Sequence, residues 1–300
     1  MKSQEQALRY FSDNAADWLR KSTSEDYSVI SDRHDVVLKH MVGAERHLRI
    51  LDIGCGTGQL AVECALQGHV AVGVDYAPEM IEAARAWNEQ QLGTADFSCS
   101  SIFDLDLSPS SFDVVSGMGL IEYMSLSEID SLLRQVHSLL ASDGTLILGS
   151  RNRLFNIVSL NEFSIREVEL GTIESLIRES ACIRAARSQK DLVETISSLE
   201  TPAAKIEEHP NTGIEVATRW QFTPAELTRI LTKRGFATES VHAVNFHAVP
   251  AGCELLPGAT NAGNAFSKAT YEEWNHDYRL IPYSSSFVIV ARRMDAEKKS

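Results

Sequence analysis

The stretch "LDIGCGTGQL", residues 51–60, places three glycines within five positions, directly behind a run of apolar residues. A strand that breaks into a glycine-rich turn and resumes as a helix is a nucleotide-binding device. Glycine permits the tight turn and lets a ligand approach the backbone, and the helix start adds free N–H donors. The flanking pattern agrees. "RILDIG" (49–54) reads as a buried strand and "GQLAVECALQG" (58–68) as the helix behind it. "VAVGVD" (70–75) is a second strand, followed by a helix over "APEMIEAARAWNEQQ" (77–91) with Pro78 in its first turn. "ADFSCSS" (95–101), "FDVVSGM" (112–118) and "GTLILGS" (144–150) supply three more strands. Ser127 and Asp130 read as the capping pair of the helix between the last two. Strand and helix alternating at this spacing predict an α/β fold, a Rossmann-like and mostly parallel sheet with helices on both faces.

The rhythm breaks after Arg151. The next clear helix is "TPAELTRILTKRG" (223–235), with Thr223 as cap, Pro224 at the first position, Glu226 closing the box and Gly235 as terminator. "FATESVHAV" (236–244) and "SSSFVIVARR" (284–293) read as the strands that finish the sheet. The stretch from Arg151 to Gln221 far exceeds an ordinary αβ connection of roughly 2–6 residues. Its helix-like material at 173–200 reads as part of an inserted, mostly helical cap. The expected division is an N-terminal helical lid (1–44), a ligand-binding core (45–151), the cap (152–221) and a C-terminal completion of the core (222–300). That last part carries a second insertion at about 250–282.

Composition narrows the partners. Twenty-eight basic residues against 41 acidic ones leave a formal charge of -13, which repels phosphate backbones and anionic membranes. No apolar run approaches the roughly 20 residues of a membrane span, and the polar start lacks a signal-peptide core. Five cysteines without zinc-ligand spacing predict no metal site, and reduced thiols in a cytoplasmic protein.

Two ligands compete for the glycine loop, a dinucleotide and S-adenosylmethionine. A dinucleotide fingerprint starting at Gly54 has Gly56 in place but Gln59 where its third glycine belongs; the third glycine here is Gly58. Asp52, at the strand end, would repel a pyrophosphate. S-adenosylmethionine has no phosphate and carries an ammonium and a sulfonium, which an aspartate favours. Asp75 ends the second strand, where an acid can take both ribose hydroxyls of either ligand.

Four segments, "LDIGCGTG", "GVDYAPEMIEAAR", "FDVVSGMGLIEYMS" and "LLASDGTLILGSRN", resemble the successive motifs of class I S-adenosylmethionine-dependent methyltransferases. The closest group is the small-molecule enzymes typified by ubiquinone and menaquinone biosynthesis. The likeness covers 45–151, continues weakly through 220–293 and fails across the insertions. It implies a seven-stranded sheet with the last strand antiparallel, S-adenosylmethionine as cofactor and a small-molecule acceptor. It also implies that Asp52, Gly54, Gly56 and Gly58 surround the methionine portion, that Asp75 holds the ribose, and that Tyr76 and Met80 flank the adenine. Gly117 joins the cofactor set. Ser101 stands where the family often has an acid for the adenine amino group, and Ile102 offers its backbone N–H. "YFSDNAADWLR" (10–20) resembles a family lid helix lined by Tyr10, Phe11 and Trp18.

A sulfonium methyl is already activated, so the remaining task is to hold a nucleophile in line and exclude water. A base is required only for a hydroxyl or a protonated amine. Candidates belong at the carboxyl ends of the strands. Glu122 and Tyr123 follow the fourth strand, Tyr123 standing where the quinone-pathway relatives often have histidine. Arg151, Asn152 and Arg153 follow the fifth, as a rim suited to clamp a carboxylate or phosphate. His247, beyond the sixth strand, is the preferred histidine base, on the face opposite His242. Packing or solvation is the competing account of each. Trp220, Trp274, Tyr278 and Tyr283 read as aromatic walls or core anchors. The expectation is methyl transfer to oxygen, ahead of nitrogen, with no nucleic-acid or membrane partner and a homodimer left open. The rivals are a non-catalytic module that binds the same cofactor and a nucleic-acid methyltransferase, whose Asn/Asp-Pro-Pro-Tyr/Phe motif is absent.

Overall fold

The computed structural model describes residues 2–23, 28–200, 220–247, 265–266, 269, 273–274 and 277–295. The chain opens with α1 (Lys2–Asp13), α2 (Ala15–Ser22) and α3 (Ser28–Met41). The alternating core follows as β1 (Arg49–Ile53), α4 (Gln59–Leu66), β2 (Val70–Asp75), α5 (Pro78–Gln90) and β3 (Asp96–Cys99). It continues through β4 (Phe112–Met118), α6 (Leu126–Leu139) and β5 (Leu140–Arg151). Four helices come next: α7 (Asn156–Ser159), α8 (Glu162–Glu169), α9 (Ile173–Ala185) and α10 (Gln189–Ser198). Then α11 (Pro224–Thr232), β6 (Phe236–Phe246) and β7 (Ser284–Arg293) complete the described structure.

The seven strands form one sheet in the order β3-β2-β1-β4-β5-β7-β6. β1 through β5 pair in parallel, and β7 runs antiparallel to both β5 and β6. The expected topology is therefore present. The chain steps outward from β1 to β3, then returns to place β4 on the other side of β1, which opens a crevice at the carboxyl ends of β1 and β4. Central strands read as unbroken apolar runs because helices cover both faces. Ile50, Leu51, Ile147, Leu148, Val288 and Ile289 are all buried.

Three local expectations need correction or completion. α6 is capped by Ser125 and Glu128, not by Ser127 and Asp130: Ser125 Oγ accepts from the Glu128 N–H at 3.3 Å and Glu128 Oε2 from the Ser125 N–H at 2.7 Å. The same Ser-x-x-acid spacing occurs twice in "SLSEID", and the register that starts the helix at Leu126 takes the earlier pair. Asp130 instead pairs with Arg134 and Arg234. The helical stretch expected at 173–200 is two helices, divided where Ser188 accepts from the Asp191 N–H and starts α10. At α11, Thr223, Glu226 and Gly235 act as read, with Gly235 at φ +79.

The segment between β5 and α11 is bound to the core by a buried cation. Arg153 donates to both oxygens of Glu167 on α8, at 2.8 Å each, and to Glu226 on α11 at 3.0 Å. Residues 201–219 of the expected cap and most of the expected insertion at about 250–282 lie outside the described residues. No described helix is long and apolar enough to cross a membrane.

Candidate active site

The carboxyl ends of β1, β2 and β4 open into a cavity of about 630 Å³. Its floor is the turn between β1 and α4. Asp75, at the end of β2, organises that turn by accepting the Gly56 N–H at 3.0 Å and the Ala77 N–H at 2.9 Å. Burial pushes its carboxyl above the usual range, and these backbone donors work against the shift. Asp52 lies deeper, buried and accepting from Ser116 Oγ at 2.7 Å. Burial raises its carboxyl to about 7, opposed by the Ser116 hydrogen bond and assisted by the charge of Asp75. A phosphate here would meet two buried carboxyls, whereas a cation would be welcomed.

The glycines divide the work. Gly54 and Gly56 line the cavity. Gly58, at φ +82, sits behind it, where a Cβ would come within 2.7 Å of Ala84 and 2.8 Å of the Phe97 ring. It lets α4 start tightly against α5 and β3. Gly117 is also behind the wall, packed on Leu148, while Met118, Gly119 and Leu120 reach the cavity. Tyr76, Met80, Ser101 and Ile102 line one end, and Ser101 Oγ accepts from the Phe103 N–H. Thr57 donates to Gln59 Oε1 at 2.8 Å and is 3.1 Å from Ser22 Oγ on α2, so the N-terminal helices touch the loop directly. Gln59 Nε2 is buried without a partner.

The opposite end is walled by α1 to α3 and by the ends of β4 to β7. Phe11 and Trp18 line it, and Tyr10 stacks edge-on against Phe11. Tyr123 also lines it, with its ring edge-on to Phe11 at 5.2 Å. Glu122 is buried and committed to the scaffold. Its Oε1 accepts from Arg33 Nη2 at 3.2 Å and from the Arg151 N–H at 3.1 Å.

The three-residue rim after β5 does not exist as read. Arg151 faces the cavity, but Asn152 is turned inward and donates to the Ile281 and Ser284 carbonyls. Arg153 is 1% exposed in its glutamate cluster. Both are structural because the chain dives into the core to start the inserted helices. His247 is likewise not at the cavity; its ring stacks on Phe155 at 4.6 Å. Nor do the four aromatics of the insertions wall it. Trp220 Nε1 donates to the Met124 carbonyl, Tyr278 to that of Ala186, and Arg184 to the Tyr283 hydroxyl. Trp274 is exposed.

Several cavity residues were missed. Arg33 and His34 on α3 face it, as do Asn245 of β6 and Ser285 and Ser286 of β7. Burial, aided by the Arg33 charge, lowers the His34 ring to about 4, so it is neutral at ordinary pH. "SDRHD" within a helix period was a usable signal for the first two, and three serines opening an apolar strand for the others.

Residues 50–144 match the family model described as a methyltransferase domain. The match covers about a third of the chain and runs from β1 into β5, the part that floors the cavity. The ubiquinone biosynthesis O-methyltransferase of Xanthomonas campestris is 35% identical over 106 residues, which is 35% of this chain and 44% of that relative. The chain thus matches less than half the length of this curated relative. Among solved structures, the magnesium protoporphyrin IX methyltransferase of Synechocystis PCC 6803 with bound S-adenosylhomocysteine superposes with a TM-score of 0.56. It is 16% identical over 96% of this chain and 97% of that one. A 1,6-didemethyltoxoflavin-N1-methyltransferase of Burkholderia thailandensis gives 0.55 at 16% identity, over 98% of this chain and 91% of its own. At these identities the superpositions establish the fold, which extends well beyond the matched domain.

Proposed function

We propose that this protein transfers a methyl group from S-adenosylmethionine to an oxygen of a small-molecule acceptor. The observation that carries the reading is a single cavity with two unlike ends. One is floored by glycine backbone and the buried Asp52 and Asp75; the other is walled by polar side chains from α3, β6 and β7. The donor set fits this cofactor. Asp52 and Asp75 suit a cationic nucleoside and oppose a pyrophosphate. Gly56, at φ +53 with nothing within 4 Å of where a Cβ would sit, leaves room for a ligand against the backbone.

S-adenosylmethionine, when bound, supplies a methyl group activated by its sulfonium. Asp75 would accept the ribose hydroxyls, and Asp52 would face the cationic end. Arg33, whose Nη1 lies 2.5 Å from where a Cβ on Gly119 would sit, is the cation placed to meet the amino-acid carboxylate at the β4 end. Phe11 and Trp18 would keep water from the reacting centre. His34, neutral and facing the cavity, can accept a hydrogen bond from a hydroxyl acceptor, but with its ring held at about 4 it is a weak base and orients that hydroxyl rather than taking its proton. The helices before residue 45 serve in this reading as the lid, and the described part of 152–221 as a fixed buttress beside the acceptor end. Oxygen is preferred to nitrogen on the O-methyltransferase relative.

The test is calorimetric titration with S-adenosylhomocysteine and, separately, NAD, followed by mass-spectrometric screening for a methylated acceptor. Binding of the first alone and a methylated product are the expected results. NAD binding alone would overturn the cofactor, and cofactor binding without any methylated product would favour the non-catalytic module.

Two quantitative expectations follow from the carboxyls. Asp75→Ala should weaken S-adenosylhomocysteine binding by about 1–2 kcal/mol, the scale of charge-assisted bonds to two hydroxyls. Asp52 gives a pH dependence. Its free-state value of about 7 means that it must lose a proton to meet a cation, so affinity is complete above that value and falls below it. Between about pH 7.5 and about pH 5.5 the dissociation constant for S-adenosylmethionine should rise about 25-fold. Asp52→Asn should flatten that profile; a wild-type profile that is already flat would remove Asp52 from the cation site.

A further inference from the structure

The acceptor end of the cavity contains a strained residue. Asn245 sits at φ +55, in the left-handed region, although it lies inside β6. The pairing around it is regular: Val244 faces Ser286 and Phe246 faces Ser284, so no bulge accounts for the conformation. Non-glycine residues hold such geometry within a strand only where surroundings enforce it, and such sites cluster where ligands bind. Here the side chain is turned to the cavity and its amide donates to Ser285 Oγ at 2.5 Å. The same amide lies 3.4 Å from His247 Nε2.

That arrangement sorts the remaining hydrogen-bonding capacity. Ser285 Oγ accepts from Asn245, which leaves the serine hydrogen to donate elsewhere. The amide nitrogen of Asn245 is engaged, and its Oδ1 takes part in no hydrogen bond among the described residues. One acceptor and one donor therefore stand side by side on the wall, in a protein whose β7 is otherwise apolar from Phe287 to Ala291. Charge is absent from the pair itself. An anchor of this kind reads an uncharged hydroxyl, through Oδ1, next to a carbonyl oxygen, through the serine hydrogen.

We propose that Asn245 and Ser285 form the acceptor-recognition pair, and that the acceptor presents a hydroxyl adjacent to a carbonyl oxygen. This rests on the assignment of the two cavity ends under the proposed function. The pair touches substrate but moves no proton, and its effect is on which acceptor is held and in what orientation. Asn tolerates the left-handed region better than most residues, so the competing account is that Asn245 is there only for its backbone. Glycine separates the two, because it relieves the strain while deleting the side chain.

The experiment uses the full-length protein saturated with S-adenosylhomocysteine and two matched probes, mandelamide and phenylacetamide, which differ by one hydroxyl. Saturation-transfer NMR or calorimetry is expected to show mandelamide binding at least tenfold more tightly. Asn245→Gly should abolish that preference, with the melting temperature unchanged or raised and S-adenosylhomocysteine affinity unchanged. Ser285→Ala should weaken both probes alike, since both keep the carbonyl. A wild type that does not distinguish the probes, or an Asn245→Gly protein that still does, overturns the proposal. If S-adenosylhomocysteine fails to bind the wild type, the cofactor reading fails instead, and the probe comparison without it still decides the role of Asn245.

Discussion

Arg153→Ala is expected to destabilise the protein by about 3–5 kcal/mol, the usual consequence of leaving a buried ion pair with one partner. Arg153 is 1% exposed and satisfies two buried glutamates at once. Burial alone would lower its pKa, but the hydrogen bond to Glu167 and the charges of Glu226, Glu167 and Glu179 more than compensate and hold it charged. Burial raises Glu167, and Arg153, Thr172 and Asn156 together bring it below its ordinary value. Without the guanidinium, Glu167 and Glu226 would face each other as desolvated carboxylates. The sign of the pH effect follows. In the wild type the contribution of Glu167 is present above its unfolded pKa and is lost as pH falls through the depressed folded value. In the variant the penalty comes from the charged forms, so it should shrink as the solution is acidified and the glutamates take up protons. Urea denaturation at neutral pH and at about pH 5 reads both effects. A triple variant, Arg153→Met with Glu167→Leu and Glu226→Gln, should recover most of the loss, because apolar packing can replace a complete buried cluster. Glutamine is chosen at 226 because that side chain also accepts the Thr223 N–H at 2.9 Å and closes the cap of α11.

Gly58→Ala should cost about 2–5 kcal/mol and Gly56→Ala much less, although both glycines belong to one motif. At Gly58 a methyl group meets Ala84 Cβ at 2.7 Å and the Phe97 ring at 2.8 Å, and the backbone is left-handed besides. Overpacking of a fixed core contributes about 1–3 kcal/mol and the unfavourable φ about 1–2 kcal/mol. Gly56 has the same sign of φ but open space around it, so only the second contribution applies. Its substitution should appear chiefly in cofactor affinity, since the new methyl group occupies the cavity wall. Thermal unfolding together with S-adenosylhomocysteine titration separates the two. Equal losses of stability in both variants would mean that Gly58 is not the packing glycine.

These contrasts explain how much could be read in advance. The glycine turn, Asp52 and Asp75 were legible because strand, turn and helix succeed one another within 25 residues and each signal is local. The antiparallel end of the sheet came from family resemblance, as periodicity does not report strand direction. Asn152 and Arg153 were misread because charge near a strand end normally means surface, and their partners, Ile281, Ser284, Glu167 and Glu226, are distant in sequence or lie in an insertion without a motif. His247 was misplaced by its position at the carboxyl end of β6, where its ring packs on Phe155 and does not line the cavity. The helix period of "SDRHD" marked Arg33 and His34, but whether they reach the cavity depends on how α3 packs against β4, β6 and β7. The fold is a sum of local patterns; the cavity wall opposite the glycine turn joins α3 to β6 and β7, elements far apart in sequence.

The order of strands also sets a timetable for synthesis. β2 to β5 can each join a strand already made, but β6 borders only β7, which leaves the ribosome later. At translation rates of about 5–20 residues per second, β6 waits roughly 2–8 s for its sheet neighbour. During that interval its edge is exposed to pairing with other chains, sheltered only by helices such as α3, α10 and α11, which pack on it in the finished protein. The wall formed by β6 and β7 is consequently the last part of this sheet to close. A nascent chain can complete the glycine turn after β1 well before it has the β6 and β7 wall of the same cavity.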